Sequence, residues 1–387
     1  MNREGDRQDD DRVLIESVRD YARSVLLPRD RRGDADETPI TDLLPELAEM
    51  GFLSISLPES LGGLGCSFTT YTAIIHELAY ASPATAVTVS IHNMVGNVVR
   101  RFATDDQARL WLTDWGKADS FAAFAISEAD AGSDAASSRT TATRVDDGYR
   151  VTGEKMWITN GLTSRWFLTL ARTSKPDEPT QLSMFLIDGR QDGVRRTPIH
   201  GKMGIRASET AVIQFDSVYV PLTGLLGAQG QGMAIALTAL DAGRIGVAAQ
   251  ATGIAQACLD EMVSYARQRK QFGKLIGEFQ AVQNMIADSA TELAASKELI
   301  ARAAAAIDRG HPDWTASAKA KLYASEAANR IAYRAVQVHG ASGYVKECRV
   351  EQLFRDARVT TIYEGTSEIQ RLVIGRSILK DVGQHDS

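Results

Sequence analysis

The first third of the chain carries apolar residues at helical spacing. In "LIESVRDYARSVLL" and "TTYTAIIHELAYA" they recur three and four positions apart, which is typical of helices with one buried face. The glycine-rich turn "PESLGGLG", residues 58–65, interrupts the pattern. We therefore predict a helical N-terminal domain over residues 11–120. Residues 1–10 are polar and of mixed charge, so we expect them to be disordered.

Between residues 121 and 228 the apolar positions follow a strand pattern instead. The segment "TATRVDDGYRVTGEK" predicts two strands joined by a hairpin turn at Asp147-Gly148. Further alternating or continuous apolar runs of strand length are "RWFLTLART", "LSMFLID" and "TAVIQFDSVYV". We expect this middle domain to be an antiparallel sheet or a small barrel.

Residues 229–387 return to helical periodicity. After Pro221 the next proline is Pro312, and the sequence between them is rich in good helix formers. Residues 232–269 alone predict a helix about 50 Å long, in which small residues such as Gly243 and Gly246 allow close backbone approach. A bundle of long antiparallel helices is expected here. The order helices, strands, helices predicts a mostly α, α+β fold rather than a doubly wound sheet.

Composition narrows the functional classes. The 387 residues are 44% hydrophobic and 24% charged with a net charge of −6, which is typical of a globular protein and argues against a nucleic-acid-coating or lipid-attracted surface. The three cysteines form no close pair, so neither a disulfide framework nor a zinc site is expected. The N-terminus has no apolar signal-peptide region, and apolar segments such as residues 84–99 are too short to span a bilayer. We expect a cytoplasmic protein without a membrane or nucleic-acid partner.

Common catalytic motifs are missing from the sequence. The glycine clusters "LGGLG" and "GAQGQGM" do not match a phosphate-binding loop, and we interpret them as a turn and a helix lead-in. The six histidines show no metal-ligand spacing, so no metal is predicted. His76 and His92 lie in apolar helical segments, where hydrogen-bonded core or interface histidines are expected. A Gly-x-Ser-x-Gly elbow is also lacking, which disfavours hydrolysis.

Five dispersed segments are more distinctive. They are "FAISEADAGSD" (124–134), "KMWITNG" (155–161), "ARQRKQFGKLIGEFQ" (266–280), "QVHGASGYVKE" (337–347) and "YEGTSEIQR" (363–371). Each alone has an ordinary structural explanation, such as a core tryptophan, a solvated helix end or a C-cap loop. Together and in this order they resemble the acyl-CoA dehydrogenase family, over essentially the whole chain after the first ten residues.

The resemblance implies a helical N-terminal domain, a middle β domain and a C-terminal four-helix bundle, with FAD between the last two. It assigns the flavin surroundings to two strand segments and the final helix start. These residues are Phe124, Ile126, Ser127, Ser133, Trp157, Ile158, Thr159, Thr366, Ser367 and Glu368. An indole covers a flavin ring well, and a threonine hydroxyl can bond a ring nitrogen.

Family members are usually dimers or dimers of dimers, so the resemblance implies a homotetramer. A second group of residues would then meet the FAD diphosphate and adenosine of a neighbouring subunit. These residues are Arg269, Phe272, Gln280, Gln337, Val338, His339, Gly340 and Ala341. An arginine and backbone N–H groups near glycines suit a diphosphate.

Residues implied to contact the thioester substrate are Ser133, Asp241, Arg244, Tyr363 and Gly365. For Asp241 and Arg244, in "LDAGR", an exposed intrahelical charge pair explains the spacing equally well. The resemblance leaves the acyl group open, and also the choice between a CoA and a carrier-protein thioester. Two positions depart from the commoner family pattern, Ala129-Asp130 and Ala341-Ser342, and neither removes a group that the reaction needs.

Glu364 is the predicted catalytic base. From the residues alone it is better explained as a helix-start residue, because Ser367 and Gln370 have capping-box spacing and acidic residues favour helix N-termini. The resemblance favours a catalytic role for Glu364 instead, since most of the family has its base in "YEGTSE". Some members instead carry the glutamate immediately before the arginine of "LDAGR", and here that position is Gly243. This favours a relation to the short-chain and medium-chain branch.

The implied reaction is α,β-dehydrogenation of an acyl-CoA to the trans-2-enoyl-CoA. Glu364 would remove the α-proton, a hydride would pass from the β-carbon to flavin N5, and an electron-transfer flavoprotein would accept the electrons. Burial against an acyl chain would raise the pKa of Glu364 towards neutrality. The alternatives are a flavin oxidase or oxygenase on the same fold and a DNA-binding flavoprotein of the same family.

Overall fold

The N-terminal domain consists of helices packed around α4 and α5. In the computed structural model, residues 3–175 and 177–382 are described. The helices of this domain are α1 (Arg3–Tyr21), α2 (Leu27–Asp36), α3 (Leu44–Glu49), α4 (Phe68–Ala81), α5 (Pro83–Phe102) and α6 (Asp105–Leu112). Helix α1 begins at Arg3, within the segment that was predicted to be disordered. Its exposed turn is bridged by ion pairs of Arg12 with Asp9 and Glu16.

The middle domain is a sheet that follows the order β6-β7-β3-β2-β4-β5-β8, with β1 added to β4. Its strands are β1 (Ala122–Ala125), β2 (Thr141–Val145), β3 (Gly148–Thr159), β4 (Trp166–Arg172), β5 (Leu182–Asp188), β6 (Val194–Pro198), β7 (Thr210–Pro221) and β8 (Leu225–Leu226). Most pairs are antiparallel as predicted, but β1–β4 and β2–β4 are parallel. The predicted hairpin exists with its turn one residue earlier, because Gly148 pairs with Val145.

The C-terminal domain is built on one long helix. Its helices are α7 (Gly232–Ala266), α8 (Gln280–Asp308), α9 (Trp314–His339), α10 (Arg349–Val359) and α11 (Ser367–Val382), with a short β9–β10 ribbon (Lys270–Gln271, Lys274–Leu275) between α7 and α8. At 35 residues, α7 is about 53 Å long, close to the predicted length. The order helices, strands, helices is therefore as predicted.

Helix α7 joins the three domains. It packs against α4 and α5, against β4 and β5, and against α8, α9 and α10. A Cβ on Gly253 would lie 2.4 Å from the carbonyl oxygen of His76, and one on Gly246 would lie 2.5 Å from Ser90 Oγ. The small residues therefore allow the close approach of α4 and α5, as the sequence suggested.

By length and apolar composition α7 could also cross a membrane, although we expected no such segment. However, 67% of its most apolar 18-residue stretch is buried inside the protein. Core helices of soluble proteins often have the same length and composition.

Candidate active site

Glu364 lies in a tight turn between α10 and α11. Its φ is +54° and that of Gly365 is +86°, so two consecutive residues adopt the left-handed conformation. Such a conformation costs a non-glycine residue about 1–3 kcal/mol and persists when the surroundings hold it. Gln370 Nε2 donates to the carbonyl oxygens of Glu364 (3.2 Å) and Gly365 (2.9 Å). Lys321 Nζ, from α9, also donates to the Gly365 carbonyl at 2.8 Å.

The helix cap after this turn differs from the prediction. Thr366 Oγ1 accepts a hydrogen bond from the backbone N–H of Ile369 at 3.3 Å, so Thr366 is the capping residue. The predicted Ser367–Gln370 capping box is wrong by one position, because Gln370 is used to hold the turn. Ser367 Oγ is buried and has no hydrogen-bond partner among the described residues.

The carboxylate of Glu364 lies directly against the backbone of Gly243 on α7. A Cβ on Gly243 would be 2.5 Å from Glu364 Oε2 and 2.9 Å from Met94 Sδ. The missing side chain therefore provides the space that the carboxylate occupies. Oε2 is buried without a hydrogen-bond partner among the described residues, which leaves it free to accept a proton.

Burial and nearby cations oppose each other at this carboxylate. Burial raises the pKa of Glu364 to about 7, while the charges of Arg244 and Lys321 act to lower it. The Lys321 side chain is 0% exposed, and its burial lowers its own pKa to about 8. A carboxyl group with a pKa near neutral pH is well suited to act as a general base.

Asp241 and Arg244 form a buried ion pair on α7. Arg244 Nη1 lies 2.9 Å from Asp241 Oδ1, and both side chains are buried, so the exposed-pair alternative is wrong. Burial raises the pKa of Asp241 to about 7 against the opposing charge of Arg244. Arg244 Nε has no hydrogen-bond partner among the described residues.

Asp241 borders a cavity of about 670 Å³ at the ends of α5 and α7. Charged and polar side chains around it include Arg100, Arg101, Asn97 and Asp308. The cavity is large enough for part of an extended ligand, and its two arginines would favour an anionic one.

The hydroxyl groups near the turn are engaged. Tyr363, a predicted substrate contact, donates its hydroxyl to Gln250 Oε1. Tyr71 and Ser90 share a buried hydrogen bond of 2.9 Å on the α4–α5 side. The ring of Tyr363 can border the site, but its hydroxyl is committed to α7.

A buried ion pair joins the two predicted flavin-binding strands. Lys155 Nζ donates to Glu128 Oε1 at 2.7 Å and to the Ile126 carbonyl at 3.2 Å, and Lys155 is 0% exposed. Glu128 also accepts hydrogen bonds from the backbone N–H groups of Arg139 (2.7 Å) and Thr140 (3.0 Å). These contacts fix the end of β1 to the middle of β3.

Trp157 lies in a bulge of β3, where the pairing with β7 shifts register between Lys155 and Ile158. Its φ is +65°, and its side chain is 59% exposed. A strained backbone that presents a large exposed indole is well suited to contact a planar ligand.

Other predicted flavin residues on the sheet differ in exposure. Phe124, Ile126 and Ile158 have side chains buried in the core, so only their backbone groups are available to a ligand. Ser127 and Thr159 are half-buried, and Ser133 is exposed.

A cavity of about 330 Å³ adjoins the start of α11. Three predicted flavin residues, Thr366, Ser367 and Glu368, contribute to its wall. The remaining lining residues were not predicted; they are Glu326, Asn329, Arg358, Thr361 and Ile362.

The second predicted group lies at the far end of the bundle. Arg269, Phe272, Gln280, Gln337, Gly340 and Ala341 are exposed, and Phe272 is 93% exposed with a φ of +52°. Val338 and His339 are buried instead, with His339 stacked on Tyr265. Gln337 lies sixteen positions after Lys321 on α9, which is a rise of about 24 Å. This end of the bundle is therefore well separated from Glu364 of the same chain.

Lys321, Met94 and the Glu128–Lys155 pair were not predicted, and Gln370 was predicted only as part of a capping box. No signal in the sequence distinguishes Lys321 from a surface lysine of an alanine-rich helix. No group of metal-ligating side chains is found among the described residues.

Three domain families match this chain in sequence. They are the acyl-CoA dehydrogenase N-terminal domain (residues 8–118), middle domain (123–218) and C-terminal domain (230–379). The chain belongs to the acyl-CoA dehydrogenase family. The predicted family and fold class are thereby confirmed, and the protein is an oxidoreductase of this family.

Curated relatives of the family cover nearly the whole chain. An acyl-CoA dehydrogenase of Bacillus subtilis is 39% identical over 369 residues, covering 95% of this chain and 97% of its own. The mouse mitochondrial short-chain specific acyl-CoA dehydrogenase is 38% identical, with 95% and 90% covered. The caffeyl-CoA reductase–Etf complex subunit CarC of Acetobacterium woodii is also 38% identical, with 95% and 98% covered.

Solved structures of the family superpose closely. Butyryl-CoA dehydrogenase from Megasphaera elsdenii has a TM-score of 0.92 at 34% identity, covering 95% of this chain and 98% of its own. A glutaryl-CoA dehydrogenase from Mycobacterium smegmatis in complex with FADH2 has a TM-score of 0.90 at 26% identity, with 95% and 94% covered.

Proposed function

We propose that this protein catalyses FAD-dependent α,β-dehydrogenation of an acyl-CoA to the trans-2-enoyl-CoA, with Glu364 as the base. The observation that carries the proposal is the Glu364 carboxylate, which lies against Gly243 with a buried, unpartnered oxygen. A carboxylate with a buried, unpartnered oxygen is better suited to act as a base than as a helix cap. Thr366 does the capping.

The residues present fit FAD. The exposed indole of Trp157 offers a planar surface, and the unpartnered Ser367 Oγ lies beside the 330 Å³ cavity. Backbone groups at Ser127 and Thr159 would complete the surroundings of the ring. When bound, FAD supplies the acceptor for the hydride that leaves the β-carbon.

Glu364 takes the α-proton in its ionised form. Because burial raises its pKa to about 7, the carboxyl group can accept and release a proton near neutral pH, as a general base must. The left-handed turn fixes the direction of the side chain. An acyl chain bound beside it would exclude water and strengthen the interactions of the carboxylate.

The substrate would lie along α7. We propose that the buried Asp241–Arg244 pair and Ser133 orient the thioester and its pantetheine arm. The adjoining cavity with Arg100 and Arg101 would accommodate an anionic part of the ligand. This charge supports a CoA thioester over a neutral one, since CoA carries phosphates.

An electron-transfer flavoprotein is the proposed electron acceptor. A 38% identical relative is named as a subunit of a reductase–Etf complex, which supports this partner. We also propose a homotetramer in which Arg269, Phe272 and Gln280 contact the FAD of a neighbouring subunit. Their exposure and their distance from Glu364 in the same chain support this arrangement.

We propose a cytoplasmic location, because the three cysteines Cys66, Cys258 and Cys348 form no close pair in the sequence, as is common in a reducing compartment. Cell fractionation followed by immunodetection tests it. Recovery from the membrane or an exported fraction would contradict it.

Replacement of Glu364 by Gln tests the function. The variant is expected to bind FAD normally but to lose reduction of the flavin by acyl-CoA, measured anaerobically as bleaching of the flavin absorbance. A panel of acyl-CoA chain lengths identifies the substrate in the wild-type protein. Comparison of oxygen with an electron-transfer flavoprotein as acceptor distinguishes dehydrogenase from oxidase. Full bleaching of the Glu364→Gln variant would refute the assignment of the base.

A further inference from the structure

Lys321 is a buried cation beside the turn that carries the base. It lies on α9 within "SAKAKLYAS", and its ammonium group donates to the carbonyl of Gly365, the residue that follows Glu364. Burial of a lysine is unfavourable unless its ammonium group is hydrogen-bonded and interacts with an opposite charge. Among the carboxylates, that of Glu364 has the strongest electrostatic effect on Lys321.

The charged and titratable groups that face Glu364 come from three helices. They are Arg244 on α7, Lys321 on α9 and the phenol of Tyr71 on α4, together with the adjacent Tyr363. Arg244 already shares its charge with Asp241 at 2.9 Å. Lys321 is also influenced by Glu326 on its own helix, by Glu368 on α11 and by Arg244.

We propose that Lys321 is a positioning residue that holds the turn of Glu364 and, through its positive charge, keeps the buried carboxylate ionised. The inference rests on the proposed role of Glu364 as the base. Two functions are combined in one side chain: a hydrogen bond to a strained turn and an electrostatic effect on the group that this turn presents. The second function distinguishes Lys321 from Gln370, which holds the same turn without a charge.

The two side chains provide a matched pair of variants. Lys321→Met removes a hydrogen bond and a charge, whereas Gln370→Leu removes hydrogen bonds alone. The measurement is the anaerobic rate of flavin reduction by acyl-CoA as a function of pH. In Lys321→Met the pH midpoint should rise by about 1 unit or more, because the charge of Lys321 lowers the pKa of Glu364. Gln370→Leu should lower the rate with an unchanged midpoint.

A shift of one unit has a measurable consequence at neutral pH. If the midpoint moves from about 7 to about 8, the ionised fraction at pH 7 falls about fivefold, and the lost rate returns at higher pH. A merely structural role would give Lys321→Met the pattern of Gln370→Leu. Lys321→Arg, which keeps the charge, should restore a midpoint near that of the wild type.

A second readout does not depend on turnover. The infrared band of the protonated carboxylic acid, identified by its absence in Glu364→Gln, can be titrated in the wild type and in Lys321→Met holoenzyme. An unchanged midpoint in Lys321→Met by both methods overturns the inference. If Lys321→Met does not fold, Lys321→Gln, which is also neutral, provides the same test. A wild-type enzyme whose flavin no acyl-CoA reduces would contradict the proposed function instead.

Discussion

Gly243 is the position at which the structure makes its sharpest prediction. In Gly243→Ala the new Cβ would lie 2.5 Å from Glu364 Oε2, whereas ordinary van der Waals contact begins at 3.4 Å. The carboxylate must therefore move by about 0.9 Å, unless the backbone moves instead. A misplacement of about 1 Å costs on the order of 10²-fold in rate, equivalent to about 2.7 kcal/mol. Met94 would also have to yield, because its Sδ would be 2.9 Å from the same Cβ.

The assay is stopped-flow reduction of the bound flavin by acyl-CoA, combined with thermal denaturation. Gly375→Ala is the matched control, since Gly375 lies in α11 and a Cβ there would meet nothing within 4 Å. The control should keep wild-type reduction and gain up to about 1 kcal/mol from helix propensity. Wild-type reduction rates in Gly243→Ala would refute the placement of the carboxylate against this glycine.

Three further predictions concern the base, the buried ion pair and the exposed indole. The pKa of Glu364 is raised from 4.5 to about 7, so its protonated form stabilises the fold below pH 4.5 and this stabilisation is lost as the pH rises through 7. The free energy of unfolding of Glu364→Gln should therefore be about 3 kcal/mol higher than that of the wild type at pH 8, and the difference should be much smaller at pH 5. Equal differences at both pH values would contradict this. Lys155→Met leaves Glu128 buried without its cation and should lower the free energy of unfolding by about 3–5 kcal/mol in denaturant unfolding. The control Arg139→Met breaks an exposed pair and should change the free energy of unfolding by less than about 1 kcal/mol. Similar losses in both variants would be evidence against a specific effect of burial. FAD added to the apoprotein should quench tryptophan fluorescence, and Trp157→Phe should remove the largest part of that decrease. An unaltered decrease in fluorescence would show that the indole does not contact the cofactor.

Much of the fold could be predicted because its signals are local. Proline spacing and helical periodicity predicted α7, and the turn residues near Gly148 predicted the hairpin with an error of one position. The start of α1 within residues 1–10 was not predicted, because composition does not report helical continuity. Strand pairing between distant segments, such as parallel β1 and β4, has no local signal.

The site was predicted where residue identity alone is informative. Glu364 and Gly243 were connected by the family resemblance, and the structure adds the physical reason, since one residue occupies the space that the other leaves. Lys321 and Lys155 could not be recognised, because only the tertiary fold buries them. Ser367 looked like a cap from its spacing, but spacing cannot show that Gln370 bonds to carbonyl groups of the preceding turn.

The apolar character of α7 has a consequence for synthesis of the chain. This helix leaves the ribosome after α4 and α5, but before α8 and α9, which cover its remaining faces. At about 5–20 residues per second, the stretch from the end of α7 to the end of α9 takes roughly 4–15 s to synthesise. For that interval a helix of membrane-spanning length has only the N-terminal and middle domains to pack against. If those domains fold first, their packing against α7 would cover part of its apolar surface before α8 and α9 are made.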